Sequence, residues 1–238
     1  MLALSLIAEV PESLQTVTGF FAKGGIFMWP LLACSIAAVT TIILRVLALR
    51  EKNVMPLVIV SEMERLVPGA SPERLARAVH HDSSSLARIV RVALQHLRWP
   101  RSENVDAVQT RARHEMVRLE KGLVVLEVIT GIAPLIGLIG TVSGLIHVFA
   151  GLGLGAGASD TKQIARGISE ALSTTIFGLG IAVPALVAFV YFSKKVEVMS
   201  VEMESLVTDL LSKLYYGRAP SEAPPPPKQV MPQRAPVA

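Results

Sequence analysis

The run at residues 128–159, VITGIAPLIGLIGTVSGLIHVFAGLGLGAGAS, contains no Asp, Glu, Lys or Arg. A helix needs about 20 mainly apolar residues to cross the hydrocarbon core of a bilayer, and this stretch supplies them before its glycines begin to alternate at Gly151, Gly153 and Gly155. Two more uncharged runs lie on either side, at 24–44 and 171–193. Together they indicate an all-α membrane protein with three transmembrane helices, and they exclude a secreted disulfide scaffold, a disordered tail and an ordinary soluble enzyme. The chain of 238 residues is 51% hydrophobic and 18% charged. A soluble domain carries about 25% charged residues, so the average departs only modestly and the clustering decides the class.

The net charge of +4 and the isoelectric point near 9.4 are read as loop Lys and Arg on the cytoplasmic side, with no nucleic-acid partner expected. Cys34 is the single cysteine and lies inside the first run, which excludes an intramolecular disulfide and a Cys-based zinc site. Residues 1–10 lack a basic head and run into Glu9, Pro11 and Glu12, so no cleaved signal peptide is expected.

Glu9, Glu12 and Lys23 precede the first run, whereas Arg45, Arg50, Lys52 and a series of arginines from Arg65 to Arg101 follow it. That bias places the N-terminus outside and the C-terminus inside, next to Lys194 and Lys195. The resulting plan is an outer segment at 1–23, transmembrane helices at 24–46, 125–151 and 164–193, and a cytoplasmic helical domain at 47–124. An outer loop at 152–163, a cytoplasmic helix at 194–217 and a disordered Pro-rich tail at 218–238 complete it. Phe20, Phe21, Phe27 and Trp29 cluster at the outer end of the first span, with Tyr191 and Phe192 at the inner end of the third.

The cytoplasmic region reads as helices. Ser71-Pro72-Glu73 suggests an N-cap followed by proline at the first helical position. Several caps in 82–85 precede a helix whose Leu86, Ile89, Val90, Ala93, Leu94 and Leu97 share one face, with Trp99-Pro100 ending it. Ser102 or Asn104 starts another, and Gly122 weakens it without breaking it, so this helix is expected to run on into the second span. Val196, Met199, Met203, Leu206, Leu210 and Leu214 form a seam for packing on like helices, and Gly217 is its stop.

Polar groups inside or beside the spans carry the functional reading. Charge within a membrane is costly and usually functional. Glu127 stands just before the second uncharged run, where interfacial water is within reach; Glu170 stands just before the third, one turn after Arg166. By position alone Glu170 is equally a boundary residue paired with Arg166 or a functional acid. Thr141 and Ser143 lie in the second span and Ser173, Thr174 and Thr175 in the third. Hydroxyls both donate and accept, so they either bond the carbonyl one turn back or line a polar path. Gly137, Gly140, Gly144, Gly178 and Pro184 are assigned to helix packing, Gly140 and Gly144 making a GxxxG step.

Other chemistries lack their residues. The alternating glycines follow a membrane helix rather than a strand, and no Gly-Lys-Ser/Thr step exists for a phosphate loop. His80 and His81 are adjacent, and adjacent side chains on a helix do not face each other. No metal site, cofactor or catalytic constellation is expected.

The stretch IAPLIGLIGTVSG at 132–144, with GISEALSTT at 167–175 and AVPA at 182–185, resembles the MotA/TolQ/ExbB proton-channel family. FMWPLL at 27–32 and the three-span, N-out order are ExbB-like. The resemblance covers roughly 20–215 and is most specific over 131–185. It implies a bacterial inner-membrane protein, with the outer segments periplasmic, that forms a homopentamer among membrane lipids around a dimeric ExbD/TolR-like single-span partner. That partner supplies a transmembrane aspartate. It further implies coupling of the proton-motive force to a TonB-like protein serving outer-membrane transport, or a TolQ-type role in the envelope. Thr141 and Thr175 match the family's pore-facing threonines, and Glu170 matches its transmembrane glutamate.

Overall fold

In a bilayer every backbone N–H and C=O must find its partner within the chain, which leaves the helix as the local solution for an isolated apolar run. The computed structural model describes residues 25–152 and 160–216, and each of the three runs is helical there. The expected segment at 1–23, the glycines at 153–157, Gly217 and the Pro-rich tail lie outside the described residues. Helices α1 (Met28–Ala48), α7 (Leu123–Leu152) and α8 (Asp160–Leu214) are each long and apolar enough to cross a membrane, so the chain is a multi-pass membrane protein. Between α1 and α7 come α2 (Glu51–Val54), α3 (Leu57–Glu64), α4 (Glu73–His80), α5 (Ser85–Gln95) and α6 (Arg101–Glu120). No strand occurs among the described residues.

The described residues divide into two compact units. The first is drawn from the chain up to Arg50 and from Arg118–Val198. In it α1 packs against α7, yet Ile36, Val39, Leu138, Ile139, Ile176 and Val187 all face outward. Apolar area in water costs about 25 cal/mol per Å², so these faces are built for lipid or for other protein. Trp29 is also exposed, whereas Phe192 is buried.

The helix expected to run unbroken from 102 into the second span stops at Glu120 and restarts at Leu123. Arg45 explains the break. Its Nη1 donates to the Leu119 carbonyl at 3.0 Å, an oxygen that an uninterrupted helix would pair with the Leu123 amide. The rest of its guanidinium lies 2.5–2.8 Å from where a Cβ of Gly122 would stand. Conversely, α8 passes through Ser193 without interruption, so the two helices expected on either side of that residue are one, and it already begins at Asp160.

The second unit is drawn from Glu51–Val117 and from Met199 onward. Leu86, Ile89, Val90 and Ala93 of α5 are buried, as are Met199, Met203, Leu210 and Leu214 of α8. Leu94, Leu97 and Leu206 are half-buried. The Ser84 hydroxyl caps α5 by accepting from the Ala87 amide at 3.2 Å. At α4 the cap position falls to Pro72, one residue later than expected; its carbonyl accepts from the Ala76 amide, and the Ser71 hydroxyl donates to Glu73 Oε1. Helix α5 ends at Gln95, four residues before Trp99, and α6 starts at Arg101. Asn104 is thus an interior residue, fully buried, whose Nδ2 donates to the Ala93 carbonyl at 3.0 Å and to the Tyr215 hydroxyl at 2.9 Å.

Among the described residues of this unit, the buried charge is Glu115. Its two oxygens accept from Arg88 Nε at 2.8 Å and Nη2 at 2.6 Å, and Arg111 Nη2 adds an ion pair at 2.8 Å. Removing one member of a buried ion pair leaves an uncompensated charge and costs about 3–5 kcal/mol. Glu115→Ala is therefore expected to destabilise this unit by about 3 kcal/mol. Denaturant unfolding of the purified chain in micelles reads this loss as a lower midpoint, and an unchanged midpoint contradicts it.

Candidate polar site between the membrane helices

Helices α7 and α8 meet along a stripe of small residues. On α8 the stripe is Gly167, Ala171, Thr174, Thr175 and Gly178; on α7 it is Ala133, Gly137, Gly140 and Gly144. The pairing is antiparallel, with Gly178 against Ala133 and Gly137, Gly140 against Thr174, and Gly144 against Ala171 and Gly167. A Cβ on Gly178 would stand 2.6 Å from the Ala133 carbonyl oxygen, and one on Gly137 would stand 3.0 Å from the Thr174 carbonyl oxygen. Backbone therefore faces backbone, the close approach that small residues permit in membranes.

This approach brings the Thr141 and Thr175 hydroxyls together. They hydrogen-bond each other across the two helices. The Thr141 hydroxyl also has the Gly137 carbonyl at 3.1 Å and the Ala171 carbonyl at 3.2 Å within reach, and Thr175 reaches the Gly137 carbonyl at 3.2 Å. Two hydroxyl protons thus face more acceptors than they can fill. Either threonine is able to donate to the other while its neighbour donates to a carbonyl, so the pair has two complete bonding patterns. Both residues are half-buried, so one side of the pair is uncovered in the single chain.

The remaining polar residues separate by environment. Thr174 is fully buried, and its hydroxyl donates to the Ala171 carbonyl one turn back at 2.8 Å. Ser173 does the same with Ser169 at 2.7 Å, nearer the surface. Ser143 is half-buried, and its carbonyl accepts from His147 Nδ1 at 2.8 Å. Glu127 faces outward, as does Pro184, which stands apart from the glycine stripe. Glu170 is half-buried with its carboxylate against the backbone of Gly25, just before α1. Among the described residues no ion pair joins it to Arg166, which is exposed.

Gly167, which the sequence shows only as the start of the 167–175 motif, is a packing residue, and its spacing with Ala171, Thr174 and Gly178 follows helical steps of three and four. His147, an imidazole inside an uncharged run, is a further polar residue there, and no motif in the sequence marks it. The partners of Glu170 and Arg45 carry no local signal, because they lie far away in the chain. His80 and His81 do meet, with ring centroids 4.7 Å apart, since His81 sits at the C-cap of α4 and outside its regular turns. No group of three or more His, Cys, Asp or Glu converges among the described residues.

The model of the MotA/TolQ/ExbB proton channel family matches residues 81–205. A putative biopolymer transport protein ExbB-like 1 of Synechocystis sp. is 38% identical over 177 residues, covering 71% of this chain and 67% of that relative. The biopolymer transport protein exbB1 of Vibrio cholerae is 31% identical over 178 residues, covering 74% and 77%. The Tol-Pal system protein TolQ of Haemophilus influenzae is 32% identical over 117 residues, covering 48% and 51%.

The glycine stripe yields a paired prediction. Gly178→Ala forces two backbones apart, and overpacking of this kind costs about 1–3 kcal/mol. Gly180, two residues on, has open space where its Cβ would be. Gly180→Ala is accordingly neutral or slightly stabilising through helix propensity. Thermal unfolding of the two variants in micelles separates them, and equal melting temperatures refute the close approach.

Proposed function

The chain belongs to the MotA/TolQ/ExbB proton channel family, and from that premise we propose that it is the multi-span subunit of an ExbB-type motor in a bacterial inner membrane. In this reading several copies, five by the family's pattern, surround an ExbD/TolR-like partner that carries a transmembrane aspartate. Protons crossing at that carboxyl drive a TonB-like protein and, through it, outer-membrane transport. The arginines following α1 support an N-terminus outside and a C-terminus in the cytoplasm.

The observation that carries the reading is the Thr141–Thr175 pair. A partner carboxylate needs a donor, and a protonated carboxyl also offers one. A hydroxyl pair with two bonding patterns serves both states without moving a charge of its own. One proton falling through 100 mV releases about 2.3 kcal/mol, so the machine advances in small steps or gathers several protons for each one. Glu170 contributes a carboxylate at the outer end of the same path.

A TolQ-type subunit of the envelope system is the second reading, favoured by the similarity to the Haemophilus protein over 117 residues. It uses the same residues with a different partner. A membrane scaffold that conducts nothing differs from both in needing no gradient.

Thr141→Val and Thr175→Val keep the volume and remove the hydroxyl. Each is expected to reduce gradient-driven uptake to background while the mass of the intact complex stays that of the unaltered assembly. Thr→Ser at either position restores uptake. Full uptake by both valine variants refutes the polar-path reading, and co-expression that yields only a lone monomer refutes both motor readings.

A further inference from the structure

Gly25 has φ +68°, in the left-handed region, and its missing side chain is where the Glu170 carboxylate lies. A Cβ there would overlap Glu170 Oε1, with Cδ at 3.3 Å and Cγ at 3.9 Å. We propose that Gly25 is a positioning residue for Glu170, its bare backbone forming the seat that holds the carboxylate at the amino end of α1.

First, Glu170 is one residue before Ala171, which is packed against Gly144 in the stripe between α7 and α8. The backbone of Glu170 is thereby fixed, and only its side chain is left to choose a place. Second, no ion pair with Arg166 holds that side chain among the described residues. Third, the seat lies just before Met28, the first residue of α1, where the helix dipole favours a negative charge. The crowding falls on the far end of a flexible side chain. An added methyl group therefore displaces the carboxylate at less cost than it would displace either helix. The consequence is a folded protein with a misplaced Glu170.

The seat is independent of what Glu170 does; its effect on proton coupling rests on the function proposed above. The test uses the full chain in membranes of cells that express it. A water-soluble carbodiimide with an amine nucleophile modifies carboxyl groups, and peptide mass measurement gives the rate at Glu170. In Gly25→Ala this rate is expected to rise severalfold, because the carboxylate displaced from its seat is more open to the reagent. A rate equal to that of the unaltered chain overturns the proposal.

Alanine at this φ is also strained in itself, and a second measurement separates the two effects. Gly25→Ala is expected to lower the melting temperature more in the presence of Glu170 than in a Glu170→Ala background. Equal drops overturn the proposal, because strain alone is indifferent to residue 170. If Gly25→Ala does not assemble, Gly25→Ala/Glu170→Asp replaces it, since the shorter acid withdraws from the seat. Recovery of the assembled protein supports the proposal; Gly25→Asn, which tolerates this φ while still adding a Cβ, overturns it if Glu170 is then modified at the rate of the unaltered chain. Faster modification with undiminished gradient-driven uptake upholds the seat while removing Glu170 from the coupling path.

Discussion

The membrane unit depends on the direct approach of two backbones, where Gly178 of α8 meets Ala133 and Gly137 of α7. In lipid there is no hydrophobic gain from bringing helices together, so van der Waals contact must hold them. Interhelical hydrogen bonds in membranes average only about 0.6 kcal/mol, too little for the threonine pair to be what joins the helices. Packing at the glycines sets the distance, and the distance lets the Thr141 and Thr175 hydroxyls reach each other and the Gly137 carbonyl. The polar site is a consequence of the seam.

A common device recurs through this unit. Three polar groups sit on glycines that leave room for them. The threonine pair shares the Gly137 carbonyl, the Glu170 carboxylate lies on Gly25, and the Arg45 guanidinium lies over Gly122. Deep in a bilayer a polar group without a partner costs several kcal/mol, and the threonine pair, set well inside both spans, meets that demand with the Gly137 carbonyl. Backbone is the one polar surface a transmembrane helix still offers, and glycine exposes it. Polarity is thereby kept at defined points while the outer faces remain apolar for lipid or neighbouring chains.

The second unit solves the same problem by different means. Its buried carboxylate, Glu115, is neutralised by Arg88 and Arg111, and its buried amide, Asn104, ties Ala93 and Tyr215 together. Such networks destabilise when one member is lost and fix which helices pair. Glu115 falls on the stripe that includes Val108, Ala112 and Leu119, a face that hydrophobic patterning alone would reserve for apolar residues.

Much of this was legible without coordinates. Uncharged length indicated the three membrane helices, and glycine content pointed to packing at Gly137, Gly140, Gly144 and Gly178, although Pro184, assigned with them, faces outward. A cap within 82–85 and the apolar face of α5 followed from local chemistry, and the structure selects Ser84. The break at 121–122 did not, because a glycine inside a helix costs only about 1 kcal/mol, and a contact from Arg45 decides the outcome. The same holds for Glu170, whose sequence neighbour Arg166 offered an obvious partner that the fold does not use. Helix formation depends on neighbours within four residues, which the sequence displays. The partners of an isolated charge depend on how distant helices are registered against one another, and only the tertiary structure determines that.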